Sequence, residues 1–366
     1  MIGMIRWARL ILIGALTATL LGACIASPAA PTPAAAPAEA RVDLSSIKTY
    51  LLGKNDELKT NTTHLKTVSD RYYALAQAAE FDYVALWQNN PAEIQQTVEE
   101  ARQAWIAASP IYEQMEGIVA GVPTLAEFDV ILDAGASGAE DPENAVPFDL
   151  TLPDGRVLPK PGNLFGVSES ALWGTYPEFT AQNVAPDFDG NGTLEFGEAL
   201  PDANVLKAAA DALDSYTSEM ATAAQGWQPT ESDAFTALVV MVPTMSEYFD
   251  SWKNSRFVAG DASDQRDFVA ISRLADIQGI IGSLQVVYEN VRSLVESVDA
   301  DQAEAIEQGL ADLKAFVADV HAKEQSGQRF SAEEADLLGA EAQNRATAIT
   351  GQITQVAAQL NIPLAE

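Results

Sequence analysis

Asp56-Glu57-Leu58-Lys59-Thr60-Asn61-Thr62-Thr63-His64-Leu65-Lys66-Thr67-Val68-Ser69-Asp70-Arg71-Tyr72-Tyr73-Ala74-Leu75 carries its apolar residues at helical spacing. Leu58, Leu65, Val68, Tyr72, Leu75 and then Ala79 recur at steps that return to one face, which predicts an amphipathic helix over 56–87. Asn90-Pro91 opens a second helix, with Ile94, Val98, Ala101 and Trp105 facing inward and Pro110 as an expected kink. Further helices are expected over 203–225, 231–256, 265–297, 300–325 and 331–360. Thr230 with Asp233 and Ser331 with Glu334 have the spacing of capping boxes, and Asp299 marks another helix start. Strand-like alternation is confined to a short hairpin expected at Leu150–Leu158. The fold class is all-α.

A short repeat organises these helices. Val122-Pro123-Thr124-Leu125-Ala126-Glu127-Phe128 returns as Val242-Pro243-Thr244-Met245-Ser246-Glu247-Tyr248, each copy following an apolar helical stretch. Two related helical bundles are expected, over 43–134 and 203–366, with residues 135–202 as an irregular insertion between them.

The start of the chain speaks to location. Arg6 and Arg9 precede the apolar run Leu10–Leu21, followed by Leu21-Gly22-Ala23-Cys24. A basic start, a short apolar core and small residues before a cut describe a signal peptide over 1–23. Leu-Gly-Ala-Cys looks like a bacterial lipobox, which makes Cys24 the lipidated first residue of the mature chain. Residues 24–42 are a Pro/Ala-rich tether that cannot build a core. The expected location is extracytoplasmic, with contact to the membrane only through the lipid. Cys24 is the single cysteine, so an intrachain disulfide and thiolate metal sites are excluded.

The 366 residues include 52 acidic and 21 basic ones, for a formal charge of −31. Such a field repels nucleic acid and anionic lipid and attracts cations. Hydrophobic residues make up 48% of the chain, enough to build a core, so the acidity marks a solvated surface. His64 and His321 each stand alone in polar helical stretches and read as surface histidines.

The most specific chemistry lies at residues 187–198, Asp-Phe-Asp-Gly-Asn-Gly-Thr-Leu-Glu-Phe-Gly-Glu. Asp187, Asp189 and Asn191 stand at positions one, three and five of an EF-hand-type calcium loop. Thr193 at seven offers its carbonyl, Glu195 at nine binds directly or through water, and Glu198 at twelve supplies two oxygens. Gly192 stands where the loop turns sharply, and Leu194 is expected to tether the loop to its surroundings. Pro186 and Pro201 bracket the loop, so flanking helices should be missing and the site should be an isolated, structural one.

A second segment, Leu164-Phe165-Gly166-Val167-Ser168-Glu169-Ser170-Ala171-Leu172-Trp173-Gly174, resembles the signature G-F-H-x-x-E-x-x-L-W-G of the imelysin family. That family includes helical lipoproteins of Efe-type bacterial iron uptake and proteins once described as peptidases. Gly166 stands where the family's metal-binding histidine would be. Tyr112-Glu113-Gln114-Met115-Glu116 resembles the family's Y-E-x-x-E stretch, followed by Phe128–Asp133 in place of its L-D-x-x-I-D segment. The resemblance implies an all-helical pair of bundles and an acidic metal site built from Glu113, Glu116, Asp133 and Glu169. Oxygen ligands of this kind suit iron or another hard cation. Trp173 and Tyr176 beside the motif read as core aromatics.

The expected function is metal capture or uptake by a lipoprotein, with calcium as a structural ion, iron as the candidate cargo, and a permease or other envelope protein as partner. The alternative is a calcium-stabilised interaction module whose imelysin metal site has decayed. A carboxylate-dependent hydrolase is disfavoured, because no nucleophile–base pair can be named. Without the histidine, metallopeptidase activity is not expected.

Overall fold

The computed structural model describes residues 42–365. Cys24, the signal segment and most of the tether lie outside the described residues.

Helix α1 (Ser45–Ala78) begins a full three turns before the predicted start and stops short of the predicted end. Glu80 and Phe81 adopt left-handed backbone conformations (φ 52° and 58°) and reverse the chain there. That conformation is unfavourable for residues with a Cβ, and the Phe81 ring packs on Tyr73 at 5.6 Å. Asp82 then caps α2 (Tyr83–Asn89) by accepting from the Ala85 amide. Helix α3 (Pro91–Val119) starts on its proline and runs unbroken through Pro110. A one-turn helix, α4 (Ala126–Asp129), passes into a π-helical turn at Val130–Ala134.

The expected hairpin is present: β1 (Leu150–Thr151) pairs antiparallel with β2 (Val157–Leu158), with Leu150 opposite Leu158. Helix α5 (Leu164–Trp173) follows, capped by the Asn163 side chain on the Gly166 amide and closed by Gly174 in the left-handed region. Every residue of α5 is buried, so this part of the 135–202 segment is an inner helix packed on its neighbours.

Asp202 caps α6 (Ala203–Gly226). The predicted helix over 231–256 is divided at Pro243 into α7 (Glu231–Met241), a 3-10 turn at Val242–Thr244 and α8 (Met245–Asn254). A one-turn helix, α9 (Arg256–Ala259), follows. The next helix, α10 (Arg273–Val298), starts eight residues later than predicted, because 263–272 form an irregular segment. The last two, α11 (Ala300–Gln325) and α12 (Ala332–Leu360), match their predicted ranges within a residue. Both capping boxes form, at Thr230–Asp233 and Ser331–Glu334, and Asp299 caps α11.

Helix α1 lies against α3 and α6, α5 against α6 and α3, and α12 against α8 and α11. Helices α3 and α10 join these groups, and one continuous apolar core runs through them. The α3–α10 approach is close because of glycine: a Cβ on Gly117 would lie 2.5 Å from Ser283 Oγ, and one on Gly279 3.0 Å from Glu113 Cβ. Each copy of the repeat follows an apolar helix, the first running through turns into α4 and the second through a 3-10 turn into α8, with Val122, Leu125, Val242 and Met245 buried. Among the described residues no helix is long and apolar enough to cross a membrane.

Candidate metal centre

Three elements converge where α3 meets α10. The last third of α3 presents Tyr112, Glu113 and Glu116. The α4–π turn presents Asp129 and Asp133, and the first turn of α10 presents Arg273 and Asp276. All are buried. Five carboxyl groups thus surround a single guanidinium. Arg273 lies 3.1 Å from Asp276, 3.6 Å from Glu113 and 3.9 Å from Asp133. Its other faces rest on the Phe268 ring at 3.7 Å and the Tyr248 ring at 5.0 Å.

Hydrogen bonds satisfy only part of this set. Tyr112 donates to Asp129 (2.7 Å) and Tyr248 donates to Glu116 Oε1 (2.8 Å). Glu113 Oε2, Glu116 Oε2 and Asp133 Oδ2 are buried with no hydrogen-bond partner. One oxygen from each of these three residues falls within 4.8 Å of the others. Two oxygens bound across a hard cation at about 2.0–2.4 Å stand apart by about that distance. An unpaired buried carboxylate oxygen is costly, and a cation among the three would remove that cost.

Burial is the main influence on protonation here. It pushes Glu113 and Asp133 well above the usual carboxylate range, with neighbouring carboxylates adding to the effect and Arg273 opposing it. Burial raises Asp129 to about 8 and Asp276 to about 6. The same carboxylates hold the Arg273 proton more tightly than usual.

Glu169 requires a correction. Its side chain does not join the cluster but accepts from three successive amides, Phe268 (2.6 Å), Val269 (2.9 Å) and Ala270 (2.8 Å). Burial raises its pKa to about 8 against the opposing pull of those amides. Glu169 therefore fastens the irregular segment before α10 onto α5. A Cβ at Gly166 would lie 2.7 Å from an Asp267 carboxylate oxygen, so Asp267 fills the space beside that glycine. Asp133, Gly166 and Asp267 share the lining of a cavity of about 300 Å³.

Sequence reasoning missed Asp129, Arg273, Asp276 and Tyr248. The repeat held one signal, since Phe128 in the first copy is Tyr248 in the second, and it is the added hydroxyl that reaches Glu116. Arg273 and Asp276 were hidden because the helix was expected to start at 265, which obscured their place on its first turn.

Three of the residues expected to hold calcium come together in the 187–198 loop. Oxygens of Asp187, Asp189 and Glu198 lie within 4.8 Å of one another. Asp187 accepts from the amides of Gly190, Asn191 and Gly192, which hold its carboxyl below the usual range. Glu198 reaches back to the amides of Phe188 (2.7 Å) and Glu195 (2.8 Å) and closes the ring. Gly192 is left-handed, at φ 82°. Asn191 bonds Asp189 and Glu195 through its amide nitrogen and accepts from Thr193 N at 2.7 Å. Among the described residues no helix runs directly into or out of the loop; the next, α6, begins only at Ala203, beyond Pro201.

Leu194 does not tether the loop. It is 59% exposed, because no second loop of this kind lies beside it among the described residues. Phe188 does the tethering: its ring packs on Trp87 at 5.4 Å, and its carbonyl accepts from Gln95. Arg102, buried on α3, reaches the carbonyls of Leu172 and Gly197 and stacks on Trp173 and Phe188. The loop is thereby joined to the end of the motif helix. Trp173 is buried against Trp105, in agreement with a core role. His64 is exposed beside Glu100, and His321 contacts Gln278.

In this all-helical body, paired glutamates on one long helix meet an acidic turn. Residues 48–359 match the imelysin family, and the chain belongs to it. No curated protein matched the chain.

Proposed function

We propose that this protein is an extracytoplasmic lipoprotein, anchored through Cys24, that captures a hard metal cation for uptake. The cargo site is Glu113, Glu116 and Asp133, and iron is the leading candidate. The observation that carries this reading is three buried carboxyls, each with an oxygen lacking a hydrogen bond, that bring one oxygen apiece within 4.8 Å of the others. An all-oxygen donor set favours hard cations over soft ones. On binding, the protons that burial holds on Glu113 and Asp133 would leave, so capture strengthens as pH rises. Family membership supports a role in iron handling outside the cytoplasm. The family carries a peptidase designation, but the site offers acids without a nucleophile beside a base. A binding role without catalysis is the reading the chemistry supports.

Calcium suits the loop at 187–198, where it would bind Asp187, Asp189, Asn191, Glu195, Glu198 and the Thr193 carbonyl and fix the loop against α3. Isolated sites of this kind bind calcium at about 10⁻⁴ to 10⁻³ M, which fits an external location.

One observation favours the alternative of a decayed site in an interaction module. Arg273 already supplies a positive charge within 3.1–3.9 Å of three of the acids. Elemental analysis of chelator-free protein separates the two. Metal capture predicts iron or another hard cation at about one per chain, retained in Glu198→Gln and lost in a Glu113→Gln/Glu116→Gln double variant. A wild-type chain that takes up only calcium when offered ferric and ferrous iron points to the interaction module.

A further inference from the structure

Nine arginines fall within the described residues 42–365. Seven of them, Arg71, Arg102, Arg156, Arg266, Arg273, Arg292 and Arg345, lie within 4 Å of a carboxylate oxygen. Arg256 and Arg329 have no such partner among the described residues. In a chain with 52 acidic side chains, an arginine without one is unusual. Both exceptions line the same cavity, which has a volume of about 570 Å³.

The rest of that cavity has Trp173, Phe196 and Phe257 in its wall beside aliphatic residues, with Asp261 as its one acidic residue. Arg256 opens the one-turn α9, where Ser255 caps the turn by accepting from the Phe257 amide. Its guanidinium carbon lies over the Phe196 ring, 3.2 Å from the ring centroid. A guanidinium against an aromatic ring keeps its N–H donors for two-point recognition of a carboxylate. Phe196 stays 42% exposed. The wall formed by Val269 and Ala270 is held by the hydrogen bonds their backbone amides donate to Glu169. The volume falls in the range of sites for small organic molecules, roughly 300–1,000 Å³.

We infer that this cavity binds an aromatic carboxylate, with the guanidinium groups of Arg256 and Arg329 on the anion and its ring against Phe196 and Phe257. The site is separate from the carboxylate cluster at α3–α10 and does not depend on the identity of any metal there.

The test uses titration calorimetry of the full mature chain with naphthoate, its uncharged amide and inorganic phosphate. Wild-type protein should bind naphthoate saturably. An Arg256→Ala/Arg329→Ala variant should bind it at least about tenfold more weakly, the scale of a charge-assisted hydrogen bond. The amide and phosphate should each bind much more weakly than naphthoate, because each lacks one half of the match. Melting temperature checks the fold of the double variant. Should it fail to fold, Arg329→Ala alone removes an exposed side chain and should still weaken binding severalfold. Absence of saturable naphthoate binding to wild type would overturn the inference. So would unchanged affinity in the variants, or an amide or phosphate that binds as tightly as naphthoate.

Discussion

Arg273→Met tests whether the buried centre is held by charge. Methionine fills a similar volume against Phe268 and Tyr248, so the change removes the guanidinium while keeping much of the packing. Breaking a buried ion pair by removing one partner costs about 3–5 kcal/mol, because the other charge is left uncompensated. At roughly 2 °C per kcal/mol for a chain of this size, the metal-free variant should melt roughly 6–10 °C below wild type at pH 8.

The acids also make this cost depend on pH. Asp276 at about 6 and Asp129 at about 8 in the folded chain lie above the unfolded value near 3.9. The folded state therefore holds more protons than the unfolded state between about pH 4 and pH 8. The stability these two groups contribute is complete below about pH 4 and is lost as pH rises through 6 and then 8. At pH 5 Asp276, the acid nearest Arg273, is largely neutral, so the gap should narrow. The assay is calorimetric melting of chelated wild type and variant at pH 5 and pH 8. Equal losses at both values would refute the charge argument and leave Arg273 as a packing residue. The centre should also regain stability from a bound hard cation, and more so in the variant.

Glu198→Gln removes the two-oxygen ligand and should abolish most of the rise in melting temperature that millimolar calcium gives wild type; an unchanged rise counts against the loop. Glu169→Gln replaces a carboxylate that accepts three amides and should cost about 1–3 kcal/mol. Hydrogen exchange at Phe268, Val269 and Ala270 should accelerate beyond the rest of the chain, whereas uniform acceleration would show that Glu169 does not act locally. Gly117→Val places atoms where Ser283 and Leu284 already sit and should destabilise by about 1–3 kcal/mol, read from denaturant unfolding. A wild-type midpoint in that variant would mean that the two central helices can separate freely.

Much of the fold could be read from short stretches of sequence. Apolar spacing placed α6, α11 and α12 to within about a residue or so, and the two capping boxes formed where their spacing indicated. Residues 187–198 closed into a ring because the left-handed glycine and the Asp187 and Glu198 acceptors act over twelve residues or fewer. Boundaries failed where the cause was remote or unusual. Nothing in composition marks Glu80 and Phe81 as left-handed, and the late start of α10 follows from a segment fastened by Glu169.

The sequence by itself determined the helical class, the hairpin, the caps and the oxygen-lined loop, since each depends on backbone preferences and side chains only a few positions apart. Tertiary structure decided which acids meet. It brought Asp133 to Glu113 and Glu116, set Arg273 and Tyr248 among them, and turned Glu169 toward amides 99 to 101 residues away. It also left Arg256 and Arg329 without carboxylate partners on the wall of one cavity. The reason is physical: burial and pairing depend on which segments pack together, and a carboxylate's own sequence neighbours do not specify its distant partner.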